Sequence, residues 1–453
     1  MKYIFCFFIF LIIGLSSHAQ IVKDTTINGR PFVLHIIQPQ ETLYGIAREY
    51  SAELNQIVVQ NPSVIQGLKV GMKIYVPLQK PREDVTKNKS KKINVFKNKK
   101  NVRNIKSPVV FSDSSIVKAA LLLPFYLDMN DTLDAHNDSR ELTTIFPKST
   151  AAIQYYSGVL LALDMLKSLG YNVDLKVLDV PNDSIYMSIL DSTILDDRSL
   201  IVGPLHANQF KKLANRYGLD TNRRLVSPLS YKNVIKNHRN TYQFVPFSNV
   251  QIDSIVSLLA KKCSSENLLI IGREQEIGLV RKFKSSISFN TDLKYKSYTV
   301  SKDLPDKEMI KQKLDASENI VLVASNNRAF VSRVLPILAS MEDTSFTVYG
   351  LESWNRITSL DEIELNLLNV HYPSVFFHDE NQLFNGFRDN YYYRFEEYPS
   401  KYSYAAYKQF LFLIADGFSG LYNFKKVQNQ KGWINTSFPI VFIQDFKQQI
   451  IDY

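Results

Sequence analysis

Apolar and polar residues after residue 115 follow two alternating patterns. Short, continuous apolar runs recur along this part of the chain, for example ALLLPF, LIVGPL, NLLIIG and NIVLVAS, and helical patterns lie between them. Continuous apolar runs predict strands that are buried on both faces, and their alternation with helices predicts parallel sheets. The runs form two series that change near residues 245–249. The pattern therefore predicts an α/β body of two doubly wound lobes.

A shorter pattern precedes this body. The run PFVLHIIQ is extended, QETLYGIAREY and SAELNQIVVQN have helical spacing, and KIYVP is again a strand pattern. In the first helix the apolar residues from Leu43 to Tyr50 follow the i, i+3, i+4, i+7 spacing of one face, and Thr42 is placed to cap its N-terminus. The order β-α-α-β within residues 33–78 predicts a small module.

The N-terminus has the composition of an export signal. Lys2 precedes the apolar run 3–15, and small residues occupy positions 17 and 19. This arrangement predicts a secretory signal peptide, residues 1–19, that is cleaved after Ala19. The apolar run is shorter than the roughly 20 residues that span a bilayer, and no later segment is long and apolar enough. The mature protein is therefore expected to be exported, with no transmembrane segment.

Most of the formal net charge of +10 lies in one segment. Between Lys80 and Lys106, eleven Lys or Arg stand against two acidic residues, so this segment carries +9 and the remainder is almost neutral. Its high charge and few apolar residues predict a disordered linker over residues 79–115. We interpret the linker as a spacer, with attraction to an anionic envelope polymer or to lipid head groups as the alternative. A nearly neutral remainder argues against a nucleic-acid-binding surface.

Enzyme signatures are absent from the sequence. It contains no His-Glu-x-x-His helix, P-loop, Gly-x-Ser-x-Gly elbow or paired-cysteine metal motif. After cleavage Cys263 is the single cysteine, which excludes an internal disulfide, and nothing points to a His partner for a catalytic thiol. We therefore predict a protein that is not an enzyme and has no cofactor and no metal.

Candidate binding residues follow the predicted strands. In open parallel sheets, ligands lie beyond the carboxyl ends of the strands, where apolar walls with a few polar groups form small-molecule sites. The alternative for each residue is that it only covers the edge of the sheet. The candidate cleft residues are Phe125, Tyr126, His206, Asn208, Ser230, Asn233, Glu352 and Trp354.

Residues 33–77 resemble a LysM domain, the small βααβ module that binds N-acetylglucosamine-containing glycans. The matching elements are ETLYGIAREY, Leu54, the dipeptide NP, Leu68, Gly71 and IYVP. The resemblance implies glycan contacts from the loop before the first helix and the loop after the second. Gln40 departs from the family, which usually has glycine there. The implied glycan-binding residues are Gln40, Glu41, Thr42, Leu43, Asn61, Pro62, Val64 and Ile65.

Residues from about 116 to 449 resemble type I periplasmic solute-binding proteins of the branched-chain amino acid class. The matching pieces are ALLLPF, YYSGVLLALDML, LIVGPL, LVSPLS and RFEEYPSKYSYAAYKQFLFLIADG. The resemblance implies a first lobe over 116–245, a second lobe over 246–372, and a return crossing with C-terminal elements that complete the lobes over 373–453.

The amino-acid site of that family is expected to be altered or lost here. In the family, a hydroxyl residue shortly after Gly-Pro helps to hold the α-carboxylate of the ligand. Here Gly203-Pro204 is followed by Leu-His-Ala-Asn, with no Ser or Thr. Ser227 and Ser230 are present in the next loop, and Ser227 therefore joins the candidate cleft residues.

The combination of the three parts resembles envelope proteins of Gram-negative bacteria in the Bacteroidetes group. It implies a non-enzymatic periplasmic protein whose LysM module anchors it to peptidoglycan and whose body binds a small ligand or an envelope partner. The aromatic stretch NYYYRFEEY would suit a partner or simply cover helices. The alternatives are an amino-acid-type ABC transporter substrate-binding protein and a regulator of peptidoglycan synthesis without a small ligand. A wall hydrolase ranks last.

Overall fold

The fold is seen in a computed structural model. Outside the described residues lie the predicted signal peptide 1–19, the linker 79–115 and Cys263. The chain divides into two compact units, one before residue 94 and one that includes nearly all later residues. The described residues are 23–27, 30–38, 46, 50, 52, 57, 61, 64, 70–77, 116–130, 145–262, 268–301, 304–314, 318–341, 343–378, 381–427, 429–445 and 447–451.

The N-terminal unit contains a three-stranded antiparallel sheet in the order β1-β2-β3. Val33 of β2 lies opposite Val76 of β3, and Ile46 and Ile57 have helical backbone. Strand β1 was missed from the sequence because KDTTI has no apolar run. The strands are β1 (Lys23–Ile27), β2 (Arg30–Ile36) and β3 (Lys73–Pro77), and the core residues are Ile37, Ile46, Ile57, Val64, Ile74 and Val76.

The first lobe of the body is built on a seven-stranded sheet in the order β14-β15-β8-β7-β6-β4-β5. All neighbouring pairs are parallel except the β14–β15 pair. The apolar run ALLLPF forms most of β4, whose residues 119–123 are 0% exposed. The strands are β4 (Val117–Leu123), β5 (Val173–Asp179), β6 (Leu200–Val202), β7 (Arg224–Ser227), β8 (Thr241–Gln243), β14 (Phe424–Lys425) and β15 (Trp433–Asn435).

The second lobe has its own seven-stranded sheet in the order β10-β9-β11-β12-β13-β16-β17. Strands β10 to β13 form parallel pairs, and β16 runs antiparallel to β13. The prediction of a two-lobed body with parallel sheets is confirmed. The strands are β9 (Leu268–Arg273), β10 (Lys296–Val300), β11 (Glu318–Ala324), β12 (Ser345–Tyr349), β13 (His371–Pro373), β16 (Ile440–Gln444) and β17 (Lys447–Ile450).

Helices connect the strands of both sheets, and capping residues start several of them. Ser400 Oγ accepts hydrogen bonds from the backbone N–H groups of Tyr402 and Ser403. The helices are α1 (Leu127–Asn130), α2 (Thr150–Ser168), α3 (Asp183–Asp191), α4 (Ala207–Tyr217), α5 (Ser248–Lys262), α6 (Ile277–Asn290), α7 (Lys307–Lys311), α8 (Arg328–Ala339), α9 (Glu362–Leu367), α10 (Gln382–Phe395) and α11 (Lys401–Ile414). Single turns of 3-10 helix are Pro147–Ser149, Glu274–Glu276, Glu352–Arg356 and Asp416–Leu421.

The chain passes between the two sheets three times. It leaves the first sheet after β8, returns after β13 through α10 and α11 to β14 and β15, and leaves again to β16. Helices α10 and α11 contribute Phe387, Tyr391 and Phe410 to the core of the first lobe. The C-terminal part of the chain therefore completes both lobes.

Helices α2 and α11 pack in very close contact. A Cβ atom added at Gly158 of α2 would lie 1.9 Å from the backbone oxygen of Ser403 in α11. Next to this contact, Tyr155 donates a hydrogen bond of 2.6 Å to Gln409 Oε1, and Gln409 Nε2 donates one of 3.2 Å to the backbone oxygen of Pro228. Helix packing thus positions the loop that follows β7.

Candidate functional site

Three segments that follow strands meet where the two lobes face each other. In the first lobe these are the segments after β6 and β7, and in the second lobe the 3-10 helix Glu352–Arg356 after β12. The Tyr231 hydroxyl donates a hydrogen bond of 2.7 Å to Glu352 Oε1. The carboxyl ends of the two sheets therefore face one another, which is where sheets of this type place their ligands.

A cavity of about 500 Å³ lies on the first-lobe side of this meeting point. We call it the cleft cavity. It brings together His206, Asn208 and Ser230 of the predicted cleft residues. Its volume falls within the range of small-molecule sites. The lining residues are Asp183, Leu205, His206, Ala207, Asn208, Gln209, Ser230, Tyr231 and Lys232.

The cleft cavity carries charges of both signs. Asp183 accepts hydrogen bonds of 2.8 Å from Lys212 Nζ and 3.1 Å from Gln209 Nε2, and these bonds, led by that from Lys212, lower the pKa of the Asp183 carboxyl. Lys232 adds an ammonium group to the wall. Asp183, Gln209 and Lys232 were missed from the sequence. Asp183 begins the helix after β5, so the strand-end rule would have found it had it been applied to that strand.

The contact between the lobes, which we call the interlobe contact, consists of Tyr231, Glu352 and Arg356. Glu352 is only 6% exposed, and Arg356 Nη2 lies 3.8 Å from its Oε2. The Arg356 guanidinium also lies 5.5 Å from the centre of the Tyr231 ring. Burial raises the pKa of Glu352, against the opposing effects of the Tyr231 hydrogen bond and the Arg356 charge. Burial, followed by the Glu352 charge, raises the pKa of Tyr231.

Glu352→Gln is expected to flatten the pH dependence of stability. Because the pKa of Glu352 is raised above its ordinary value of 4.5, the folded protein binds this proton more tightly than the unfolded chain. The contribution of Glu352 to the free energy of unfolding therefore falls as pH rises from about 4.5 through the raised folded-state pKa. Urea unfolding at a series of pH values would show this slope in the wild type and its loss in the variant. If the free energy of unfolding changed with pH in the same way in both proteins, this would contradict a raised pKa for Glu352.

Two predicted cleft residues lie in the hydrophobic cores instead. Trp354 is 2% exposed, donates its Nε1–H to the backbone oxygen of Ser325 at 3.1 Å, and belongs to the second-lobe core. Phe125 is 9% exposed and belongs to the first-lobe core. The sequence placed both side chains in the cleft, whereas the structure places them in the cores, because an aromatic residue after a strand can turn back and cover the sheet.

The remaining predicted cleft residues are dispersed. The backbone N–H of Tyr126 donates to Asp179 Oδ1 at 3.2 Å, and its side chain packs edge-on against Phe146. Ser227 is fully buried, and its Oγ has no hydrogen-bond partner among the described residues. Asn233 donates to Gln430 Oε1 at 3.0 Å and lines a different cavity.

In the N-terminal unit, two of the implied glycan residues have packing roles. Asn61 is 7% exposed, and its Nδ2 donates to the backbone oxygens of Ile57 and Tyr75 at 2.7 and 2.8 Å. Its Oδ1 accepts the backbone N–H of Tyr75 at 2.8 Å. Val64 is 6% exposed in the core. The other implied glycan residues, which lie outside the described residues, are Gln40, Glu41, Thr42, Leu43, Pro62 and Ile65.

Two further properties concern the described part of the chain. No three His, Cys, Asp or Glu side chains within it are grouped so as to hold a metal ion. None of its helices combines the length and apolar character needed to cross a membrane.

Comparisons with known proteins identify the fold of the body. No protein-family model and no curated protein matches the sequence. A crystal structure assigned to a branched-chain amino acid ABC transporter from Rhodospirillum rubrum covers 74% of this chain and 100% of its own, with a TM-score of 0.55 and 11% identity. LpoA from Haemophilus influenzae covers 76% of this chain and 60% of its own, with a TM-score of 0.51 and 10% identity. The body has a type I periplasmic-binding-protein-like fold.

Proposed function

We propose that this protein is a non-enzymatic component of the bacterial periplasm. Its LysM-like module anchors it to the N-acetylglucosamine-containing glycan of peptidoglycan, and its two-lobed body binds an envelope partner. The interlobe contact is the observation that supports partner binding by the body. This makes a regulator of peptidoglycan synthesis without a small ligand the favoured form of the proposal.

The interlobe contact supports partner binding because it joins the lobes through the protein's own side chains. A two-lobed receptor admits its ligand by opening a hinge and then closes around it. Here Tyr231 of the first lobe donates a hydrogen bond of 2.7 Å to Glu352 of the second lobe. The joined lobes present a fixed outer surface, as a partner-binding protein requires. LpoA of Haemophilus influenzae has the same kind of fold.

A substrate-binding protein for an amino-acid-type ABC transporter is the second candidate. The cleft cavity favours it, since Asp183 and Lys232 supply opposite charges for a small zwitterionic ligand. Thermal unfolding with a panel of amino acids distinguishes the two candidates. An amino acid that raises the unfolding temperature in a concentration-dependent way would support the transporter candidate over the favoured form.

The described parts of the N-terminal unit are compatible with the proposed LysM-like module. The pairing of β2 with β3 and the helical backbone at Ile46 and Ile57 agree with a βααβ order. Asn61 ties the end of the second helical segment to β3 through its side chain. We propose that residues 40–43, Pro62 and Ile65 contact the glycan, while Asn61 and Val64 pack within the module.

The full chain is expected to sediment with purified peptidoglycan sacculi, and a variant lacking residues 20–79 is expected to stay in the supernatant. A second variant, in which every Lys and Arg of residues 80–106 is replaced by Gln, serves as the matched control for charge. It should still sediment, because none of the implied glycan-binding residues is a Lys or Arg of residues 80–106. Sedimentation is measured at low and high salt, since salt weakens attraction between exposed charges.

The outcomes separate the two sources of wall binding. Equal sedimentation of the full chain and the deletion variant would refute glycan recognition by the module. Loss of sedimentation in the charge variant alone, together with strong salt dependence, would assign wall binding to the basic segment instead. Failure of the full chain to sediment would make Gln40, the departure from the LysM pattern, the first residue to replace with glycine.

A further inference from the structure

The charge of the body is unevenly distributed in the first lobe. Three long stretches of the sequence, residues 198–219, 221–252 and 417–444, contain no Asp or Glu. Together they hold a large share of the body's basic residues. Some of these basic residues pair with acidic residues outside the stretches: Arg198 with Asp174, Lys212 with Asp183 and Arg223 with Asp220. The Lys and Arg residues in these stretches are Arg198, Lys211, Lys212, Arg216, Arg223, Arg224, Lys232, Lys236, Arg239, Lys425, Lys426 and Lys431.

Hydrogen bonds join these three stretches in the folded protein. His238 Nε2 lies 3.2 Å from Asn215 Oδ1, which links the loop after β7 to α4. The backbone N–H groups of Lys431 and Gly432 donate to the backbone oxygens of Lys236 and Ile235, at 3.3 and 2.9 Å. These hydrogen bonds bring parts of the three stretches next to one another.

Gly218, which follows α4, allows the close approach of His238. A Cβ atom added at Gly218 would lie 2.2 Å from His238 Nδ1. Only a residue without a side chain leaves room for the imidazole at this point. The ring therefore packs against the end of α4 and closes one side of a cavity.

This cavity, which we call the basic cavity, has a volume of about 270 Å³. Its lining residues differ from those of the cleft cavity, and they include two lysines, one histidine and three asparagines. No acidic residue is among the lining residues. Lys212, which faces the other way, is already paired with Asp183 at 2.8 Å. The lining residues are Lys211, Ala214, Asn215, Asn233, Val234, Lys236, Asn237 and His238.

We propose that the basic cavity binds a phosphomonoester group. Such a group carries a charge of about −1.5 to −2 and three acceptor oxygens, and it therefore needs several cations and donors at once. Lys211 and Lys236 supply two point charges of the kind that bind phosphate, and the carboxamides supply neutral donors. A carboxylate, with one charge and two oxygens, would use only part of this wall.

The test is calorimetric titration of the full chain with inorganic phosphate, with acetate at the same ionic strength as the comparison. Lys211→Ala/Lys236→Ala should weaken phosphate binding at least about tenfold, since two charge-assisted contacts are lost. Lys282→Ala/Lys311→Ala is the matched control, because it removes two exposed lysines from the second lobe. The basic segment 80–106 is identical in all three proteins, so its own attraction for anions does not affect the comparison.

A second arm identifies the source of the phosphate group. The same three proteins are mixed with vesicles of phosphatidylcholine with and without phosphatidic acid. If Lys211→Ala/Lys236→Ala selectively loses both phosphate binding and vesicle binding, the basic cavity binds phosphomonoesters that include lipid headgroups. If this variant loses phosphate binding alone, the basic cavity binds only soluble phosphomonoesters. Equal phosphate affinity in all three proteins, or acetate binding as tight as phosphate binding, would overturn the proposal. Unchanged thermal unfolding of both variants verifies that the fold is intact.

Discussion

Gly158→Ala is expected to lower the free energy of unfolding of the body by about 3 kcal/mol, near the upper end of the usual cost of overpacking. The added Cβ would lie 1.9 Å from the backbone oxygen of Ser403. A backbone atom cannot turn away as the end of a long side chain can. Helix α11 must therefore move away from α2, and the core around Phe410 and Tyr155 loses contacts with it.

Urea unfolding measured by circular dichroism tests this prediction, and Gly386→Ala is the matched control. Gly386 also lies within a helix of the first lobe, but a Cβ atom added there meets nothing within 4 Å. Alanine should stabilise that helix by about 0.5–1 kcal/mol, because glycine loses more backbone freedom on folding. Similar effects of the two substitutions would show that α2 and α11 are not in the close contact described here.

The same substitution is expected to disturb the loop after β7. Gln409 lies in the helix that must move, and it donates to the backbone oxygen of Pro228, three residues before Tyr231. Displacement of α11 therefore reaches the interlobe contact. A destabilised Gly158→Ala variant should also show faster hydrogen exchange in residues 228–233 than Gly386→Ala.

Tyr231→Phe is expected to separate the lobes and to cost about 1–3 kcal/mol in the free energy of unfolding. The substitution keeps the ring and removes only the hydroxyl, which donates to Glu352 at 2.7 Å. The carboxylate of Glu352 is then left 94% buried with Arg356 as its remaining charged neighbour at 3.8 Å. Opening of the lobes would expose this carboxylate to water, and the loss of the hydrogen bond therefore favours opening.

Small-angle X-ray scattering tests the separation of the lobes, and Tyr393→Phe is the matched control. Tyr393 is 90% exposed, so loss of its hydroxyl should leave stability and scattering unchanged. A larger radius of gyration for Tyr231→Phe alone would support an interlobe contact that holds the lobes together. Equal scattering curves for the wild type and both variants would indicate that other contacts hold the lobes and would weaken the partner-binding proposal.

The apolar runs were sufficient to predict most strands of the two large sheets. Strands such as β4, β9 and β11 lie in the middle of a sheet, are covered on both faces, and therefore need a continuous apolar sequence. Edge and short strands carry no such signal. KDTTI of β1 and the two-residue strand β14 are strands because a neighbouring strand offers hydrogen bonds, and this neighbour is defined only by the fold.

The candidate cleft residues were predicted with less success. The rule that ligands lie beyond strand ends found His206, Asn208, Ser230 and Glu352, which lie near the meeting point of the lobes. It also selected Trp354 and Phe125, whose side chains turn into the cores. A strand end defines the position of the backbone, whereas the direction of the next side chain depends on packing around it.

By itself, the sequence determined the local properties of this protein: where apolar runs form buried strands and where helices begin. Only the tertiary structure decided which distant residues meet. Tyr231 and Glu352 are 121 residues apart in the chain, and the backbone hydrogen bond between Lys431 and Lys236 joins residues that lie still further apart. Local patterns reflect the free energy of burying or exposing each segment. A pairwise contact also depends on how two whole lobes are closed and oriented, and no short window of sequence contains that information.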